Sequence, residues 1–506
     1  MSVSAEDMNL KSVSPLTRVS YDIPASDGDR DGIDQFLEAN SGKKIIVIQG
    51  LGFVGAAMAL VCADANKGNY AVIGIDLATV ESYWKIASIN AGVCPIVSGD
   101  PKVQELFEVA LQRGNLYATA DPYAYRIADN IVVDINLDVD KSSDCAGNIK
   151  DYSVNTAPLV GSAKVIGEYC KPDALVLVET TVPPGSCEKI FKEIITNELA
   201  RRELPTTDIA IAHSYERVMP GPGYVDSIVN FYRVYSGIDT KSADRAEEFL
   251  KTIIDTTNYP LTRLASTVAT ESAKILENSY RAMNIAFVEE WGRFAEEANF
   301  NLYEVIDAIR LRPTHKNLMY PGLGVGGYCL TKDPLLASWS RQNFFNGKSP
   351  LTQSVASVEN NDKMPHNVYA EIKNFLNNNV KKRNVLILGV SYRSEVADTR
   401  YTPVQVIYEN LKRDGAEVTL HDFYVSYWEE CDCGVQTDLS VVLSSNYDTV
   451  LFCTGHSQYK ENKTLLSWFN SQYKVDAFDT VGVLSQKSIE LISKNNQLKV
   501  IGRGDI

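Results

Sequence analysis

The stretch that most constrains this chain is a β-branched run, KKIIVIQ, that stops at Gly50 and opens the series Gly50-Leu-Gly52-Phe-Val-Gly55. Helix-compatible AAMALVCADA follows, then a second apolar run, YAVIGID, which closes on Asp76. Strand, tight glycine turn, helix and strand make one βαβ unit of a parallel sheet. In such a unit the first glycine allows the turn, the second lets a pyrophosphate approach the backbone, and the third lets the helix pack on the strand. The helix N-terminus offers unpaired N–H groups and the positive end of its dipole. A carboxylate at the end of the second strand bonds the ribose hydroxyls and repels a 2′-phosphate, which favours NAD over NADP. Gly50, Gly52, Phe53, Val54, Gly55 and Asp76 are therefore the expected cofactor contacts. By itself such a turn also serves other nucleotides.

Further apolar runs at IADNIVVDI, ALVLVE and DIAIA alternate with helix-like VQELFEVALQR and APLVGSAKVIGEYC. Residues 43–235 read as one doubly wound α/β domain. From 236 to 379 the pattern is mostly helical. Residues 266–310 hold no proline and a single glycine, which predicts a long helix suited to bridging two domains or to pairing with a copy of itself. RNVLILGV, AEVTLHD, TVLFCTG and VDAFDT place a second, smaller Rossmann-like domain over 380–506. Residues 1–42, polar and rich in Ser and Asp, read as an extension with at most a short helix.

A formal net charge of −15 argues against a nucleic-acid backbone as the main partner. No apolar stretch reaches the ~20 residues of a membrane helix, and the N-terminal stretch has no secretory core. Nine scattered cysteines read as reduced thiols, which suits the cytosol. Cys431-x-Cys433 has no matching pair, so no metal site is expected.

Four more segments carry candidate chemistry. Gly322-Leu-Gly324-Val-Gly326-Gly327-Tyr-Cys329 is a loop able to fold round a ligand, with a Cys at its end. Such a thiol is a nucleophile or, as often, a small buried apolar residue. Lys274 and Asn278, one turn apart, face the same way on the long helix and suit an oxyanion, or simply solvent. Glu179-Thr-Thr181-Val-Pro-Pro-Gly and His213-Ser-Tyr-Glu216-Arg217 end strands, where α/β folds place ligands.

In order along the chain, GLGFVG, ETTVPPG, ERVMPG, AKILENSYRAMNIAF, PGLGVGGYC-x-x-x-D and VADTRYTP resemble the UDP-glucose/GDP-mannose dehydrogenase family across residues 43–506. That resemblance implies two Rossmann-like domains joined by a long central helix, a homodimer or larger assembly, a UDP-sugar substrate and a four-electron oxidation of a sugar C6 alcohol with NAD. Cys329 would trap the aldehyde as a thiohemiacetal and then carry a thioester. Lys274 and Asn278 would stabilise oxyanions, Asp333 and Thr181 would hold the hydrolytic water, Thr181 would also contact the cofactor, and Glu216 would act as base. Glu216, Arg217, Lys274, Asn278, Gly326, Arg393 and Arg400 would contact the substrate.

The chain departs from the family pattern at VVDINLDVD, where a VPTP-like segment is usual, at Tyr215 and Tyr328, and at Tyr392-Arg393-Ser394, where Arg replaces a Lys. Pro220 stands where the glucose branch carries a second Glu, which favours a UDP-N-acetylhexosamine of glucosamine or mannosamine type. Cys329-Leu-Thr-Lys332-Asp333 is closer to the glucose branch, so UDP-glucose stays as the alternative. A two-electron hydroxyacid dehydrogenase and an inactive nucleotide-sugar sensor are the remaining readings.

Overall fold

The computed structural model describes residues 10–65, 68–96, 98–144, 146–218, 221–471 and 474–506. Cys145 and Pro220, used in the sequence reading, lie outside them. Two compact units emerge. The first comprises residues up to Asp138, Val154–Lys274 and Asn343–Asn346; the second comprises Val139–Ser153, Ile275–Gln342 and Gly347–Ile506.

The first unit is built on an eight-stranded sheet. Its spatial order is Thr262–Arg263, Val234–Gly237, Ala210–His213, Leu175–Val178, Asn130–Val133, Lys44–Gln49, Tyr70–Ile75 and Leu116–Thr119. The six strands from Lys44 to His213 are parallel and take the doubly wound order 3-2-1-4-5-6. Val234–Gly237 adds antiparallel to Ala210–His213, and Thr262–Arg263 adds parallel to it. The central strands are buried on both faces, which is why they read as unbroken apolar runs rather than alternating ones. The strand order reverses between Lys44–Gln49 and Asn130–Val133, and the loops after these two strands flank the ligand crevice of such folds.

Residues 10–39 are more structured than their composition suggests. Lys11–Val13 and Ser20–Asp22 pair as an antiparallel hairpin, and Arg30–Ala39 is a helix. Ile33 and Phe36 of that helix are buried, and Phe36 stacks on Tyr117 of the edge strand at 5.5 Å between ring centroids. The helix thus covers an edge that would otherwise expose unpaired backbone.

The second unit holds five parallel strands in the order Glu417–His421, Asn384–Leu388, Thr449–Phe452, Asp476–Asp479 and Gln497–Val500. This 2-1-3-4-5 arrangement is the other common doubly wound order. A hairpin, Val139–Ser143 with Ile149–Val154, begins at the last two residues of VVDINLDVD. Lys141 of this hairpin pairs with Asp362 at 2.6 Å. The sequence showed no strand over 139–154 because this hairpin is largely exposed and carries no apolar alternation. The long helix spans Thr267–Glu297, so Lys274 ends the first unit's portion of it and Asn278 falls in the second's. Among the described residues, no helix is long and apolar enough to cross a membrane.

Candidate active site

The turn after Lys44–Gln49 has the geometry its three glycines suggest. Gly50 adopts φ +97°, and a Cβ there would collide with the carbonyl of Asp134. A Cβ on Gly55 would fall inside the carbonyl oxygen of Gly50 and 3.1 Å from Cβ of Asp134. A Cβ on Gly52 would meet nothing within 4 Å, so this face of the turn is open. Gly52 caps the helix Phe53–Asp64 without a side-chain hydrogen bond, leaving first-turn N–H groups for an anion. Phe53 packs on Tyr224 at 4.5 Å between centroids, and the Tyr224 hydroxyl donates to the Phe53 carbonyl. Asp76 is anchored from three sides: Leu51 N–H donates to Oδ2 at 3.0 Å, Leu77 N–H to Oδ1 at 2.8 Å, and Lys85 Nζ to Oδ2 at 2.7 Å. The sequence reading missed Lys85, which places a cation beside the carboxylate meant to discourage a 2′-phosphate.

Under the glycine turn lies a buried acidic group. Asp134 ends the strand Asn130–Val133, and Glu179 ends the neighbouring Leu175–Val178. Arg233 Nη1 donates to Glu179 Oε1 in a fully buried ion pair. Asp134 Oδ2 and Glu179 Oε2 are both buried with no hydrogen-bond donor. Desolvation, reinforced by Glu179, raises the Asp134 pKa well above the usual carboxylate range. Asp134 stands inside the segment that departs from the family's VPTP pattern. Its significance was not legible, because its partners lie 45 and more residues away.

Of the remaining predicted residues of the first unit, Lys274, Glu216 and Arg217 fall near one another. Lys274 Nζ donates to the Glu216 carbonyl at 2.9 Å, lies 3.5 Å from its Oε1, and sits 5.5 Å from the Tyr215 ring centroid. Arg217 lies over the rings of Tyr215 and Phe231 and donates to the Tyr215 hydroxyl at 3.2 Å. Thr181, half-buried, follows Thr180, whose hydroxyl is tied to the carbonyls of Val133 and Ile135. Glu271, one turn before Lys274, accepts from Gly185 N–H at 2.5 Å and from Cys187 N–H at 2.8 Å. It therefore ties the Thr181-Val-Pro-Pro-Gly185 loop to the helix that carries Lys274.

In the second unit Cys329 is exposed at the end of its glycine loop. Its carbonyl accepts from Lys332 N–H at 3.2 Å and Asp333 N–H at 2.9 Å, closing the turn into the helix Asp333–Asn343. Asp333 is buried between Asn278, which donates to Oδ2 at 2.7 Å, and Lys332, 3.0 Å from Oδ1. The Lys332 ammonium also lies 4.4 Å from the Tyr328 ring centroid. The loop is seated on the segment Tyr392–Pro403: a Cβ on Gly326 would lie 2.5 Å from Cβ of Tyr392, and Gly327 N–H donates to the Arg400 carbonyl at 3.0 Å. Arg400 is exposed and doubly bonded to Asp398. Arg393 is exposed.

Two nucleotide-type folds, a dinucleotide turn and an exposed Cys on a glycine loop invite comparison with known proteins. Three models of one family match in sequence: the NAD binding domain over residues 43–254, the central domain over 268–361 and the UDP binding domain over 386–485. The chain belongs to the UDP-glucose/GDP-mannose dehydrogenase family. It is an NAD-dependent nucleotide-sugar dehydrogenase, an oxidoreductase. A UDP-N-acetyl-D-mannosamine dehydrogenase of Methanocaldococcus jannaschii is 30% identical over 76% of this chain and 80% of its own length. One of Methanococcus aeolicus is 28% identical over 84% and 88%. Among solved structures, a UDP-D-ManNAc dehydrogenase of Pyrococcus horikoshii superposes with a TM-score of 0.76 at 25% identity, covering 91% of this chain and all of its own. An NDP-N-acetyl-D-galactosaminuronic acid dehydrogenase of Methanosarcina mazei gives 0.74 at 27%, covering 94% and 98%. The expectations of family, doubly wound fold and NAD are thus met.

Proposed function

We propose that this family member oxidises the C6 alcohol of a UDP-N-acetylhexosamine, of mannosamine or glucosamine type, to the uronic acid in the cytosol, with Cys329 as nucleophile. The observation that carries the reading is Cys329 itself, exposed on its glycine loop at the head of a helix whose Asp333 is bonded to Asn278. Relatives named for N-acetylhexosamine substrates support the sugar.

The Gly50–Gly55 turn and Asp76 would hold NAD, which would supply the hydride acceptor twice per sugar. The chain's own residues do the rest. The Cys329 thiolate adds to the C6 aldehyde, so the aldehyde stays tethered while the cofactor is exchanged. The Lys274 ammonium and the Asn278 amide balance the alkoxide that this addition creates. Loss of the second hydride leaves a thioester. Water held by Asp333 and Thr181 attacks it, Glu216 takes the water's proton, and the Cys329 sulfur leaves as thiolate. Arg217, Arg393 and Arg400, with the Gly326 backbone, contact the nucleotide sugar; Arg is suited to phosphate because its planar fork donates two bonds at once.

We further propose that the active form is a homodimer or higher homo-oligomer. Leu276, Tyr280, Phe287, Trp291 and Phe294 are exposed on the long helix, Leu276 by 71%. Their spacing of three, four and seven residues makes one continuous apolar seam, the pattern of a helix that pairs with a second copy. Trp291→Glu should convert the assembly to monomers in analytical ultracentrifugation; an unchanged sedimentation coefficient would remove this helix from the interface.

The experiment that tests the activity is the NADH yield per sugar with purified protein and UDP-N-acetylmannosamine, UDP-N-acetylglucosamine and UDP-glucose. Two NADH per N-acetylhexosamine consumed is expected. Activity on UDP-glucose alone would give the chain to the other branch. One NADH per sugar would demote Cys329, and none with any sugar would favour a sensor.

A further inference from the structure

The match to the NAD binding domain begins at residue 43, so the segment before it lies outside the matched domains. That segment is fastened to the first unit at two places. At one, its helix Arg30–Ala39 lies on the edge strand: the Tyr117 hydroxyl donates to Asp29 at 3.0 Å, and Asn40 donates to the Gly114 carbonyl at 2.9 Å. At the other, the hairpin reaches the loop that follows Asp76. Ser12 is the single buried residue of the strand Lys11–Val13. Its hydroxyl donates to the Val80 carbonyl at 2.6 Å and accepts from the Trp84 N–H at 2.9 Å.

Trp84 is the second residue of the helix Tyr83–Asn90. The first-turn N–H groups of a helix need a partner, normally a side chain at its N-cap. Here the N-cap, Ser82, makes no such bond. Ser12 supplies it instead, from 72 residues upstream. The next residue of that helix is Lys85, whose ammonium holds Asp76 at 2.7 Å. A lysine in a first turn opposes the helix dipole, so its orientation depends on the pairing with Asp76 and on a fixed helix start. The chain of contacts therefore runs Ser12, Trp84 N–H, Lys85, Asp76.

We infer that residues 10–39 act as a bracket for the adenosine end of the NAD site, with Ser12 as a positioning residue that fixes Lys85 and, through it, Asp76. The inference rests on the assignment of Asp76 to the adenosine ribose made above. It makes the extension part of the cofactor site rather than a tail. A second fastening on the edge strand explains why a three-residue strand is held at all: the helix anchors the segment, and the hairpin delivers one hydroxyl.

The test is carried out on the full-length enzyme with ADP-ribose as the probe, read as competitive inhibition against NAD. Ser12→Ala removes both hydrogen bonds and should weaken ADP-ribose and raise the KM for NAD by about five- to tenfold. Turnover at saturating NAD and the KM for the nucleotide sugar should stay at wild-type values. Ser12→Thr keeps the hydroxyl and should restore ADP-ribose affinity. Lys85→Met breaks the same chain one link later and should reproduce the loss, which keeps the test open if Ser12→Ala does not fold. Asp76→Ala is the reference. If it leaves ADP-ribose binding unchanged, the assignment of Asp76 fails and this inference with it. If Asp76→Ala weakens binding while Ser12→Ala or Lys85→Met does not, the inference alone is overturned. A uniform drop in turnover and in affinity for both substrates in Ser12→Ala would likewise overturn it, because that is general scaffolding.

Discussion

Glu271 should make the stability of the first unit depend on pH in a way that one substitution removes. The carboxyl is buried and accepts from two backbone N–H groups, Gly185 and Cys187. Desolvation outweighs those bonds, and Glu188 adds repulsion, so its pKa is pushed up to about 7 from an ordinary 4.5. At 1.36 kcal/mol per unit, the difference between the folded and unfolded values is worth about 3 kcal/mol. The folded state is the better proton binder. Its advantage is complete below the unfolded value and disappears as pH rises from about 4.5 through about 7.

Glu271→Gln is neutral at every pH and lacks this dependence. The variant should therefore gain on the wild type by about 3 kcal/mol between pH 5 and 8. That corresponds to roughly 6–12 °C in relative melting temperature for a unit of this size. Thermal unfolding of both proteins across that pH range, followed by tryptophan fluorescence, measures the gap directly. Parallel melting curves at all pH values, or a variant that loses ground as pH rises, would refute the argument.

Other outcomes follow from the same geometry. Cys329→Ala should abolish uronic acid formation while leaving NAD affinity intact, and product analysis by mass spectrometry would show it; undiminished acid would end the thioester mechanism. Gly55→Ala should lose NAD binding by calorimetry, because its Cβ has nowhere to go but into the Gly50 carbonyl; binding within a factor of two of wild type would contradict so tight a turn. Arg233→Met leaves Glu179 and Asp134 buried without their cation and should cost about 3–5 kcal/mol of stability in chemical denaturation. A loss under about 1 kcal/mol would mean that water reaches the pair.

What could be read from the sequence was what lies close along the chain. The Gly50–Gly55 turn, Asp76 at the end of the second strand and the spacing of Lys274 and Asn278 one turn apart on a helix are short-range patterns tied to fixed periodicities. The partners that make these residues useful were not legible. Lys274 rests on Glu216 and Asn278 on Asp333, contacts 58 and 55 residues apart. Ser12 reads as one more polar residue in a polar stretch until its strand is seen to pair and turn it inward. Glu271 reads as ordinary helix, since nothing in its neighbours announces two N–H groups arriving from a loop 84 residues earlier. Asp134 was visible only as a departure from an expected motif, without a physical reason attached.

The seating of the Cys329 loop on Tyr392–Pro403 bears on how such enzymes can be altered. A gene boundary drawn between the central and last domains would run through that contact, because Gly326 and Gly327 have no room except against this particular Tyr392 and the backbone beside it. The last domain is therefore not an interchangeable cassette. A chimera that imports a foreign nucleotide-binding domain inherits a foreign floor beneath the cysteine loop. Recovering its activity would require the glycine loop and the Tyr392–Pro403 segment to be transplanted together.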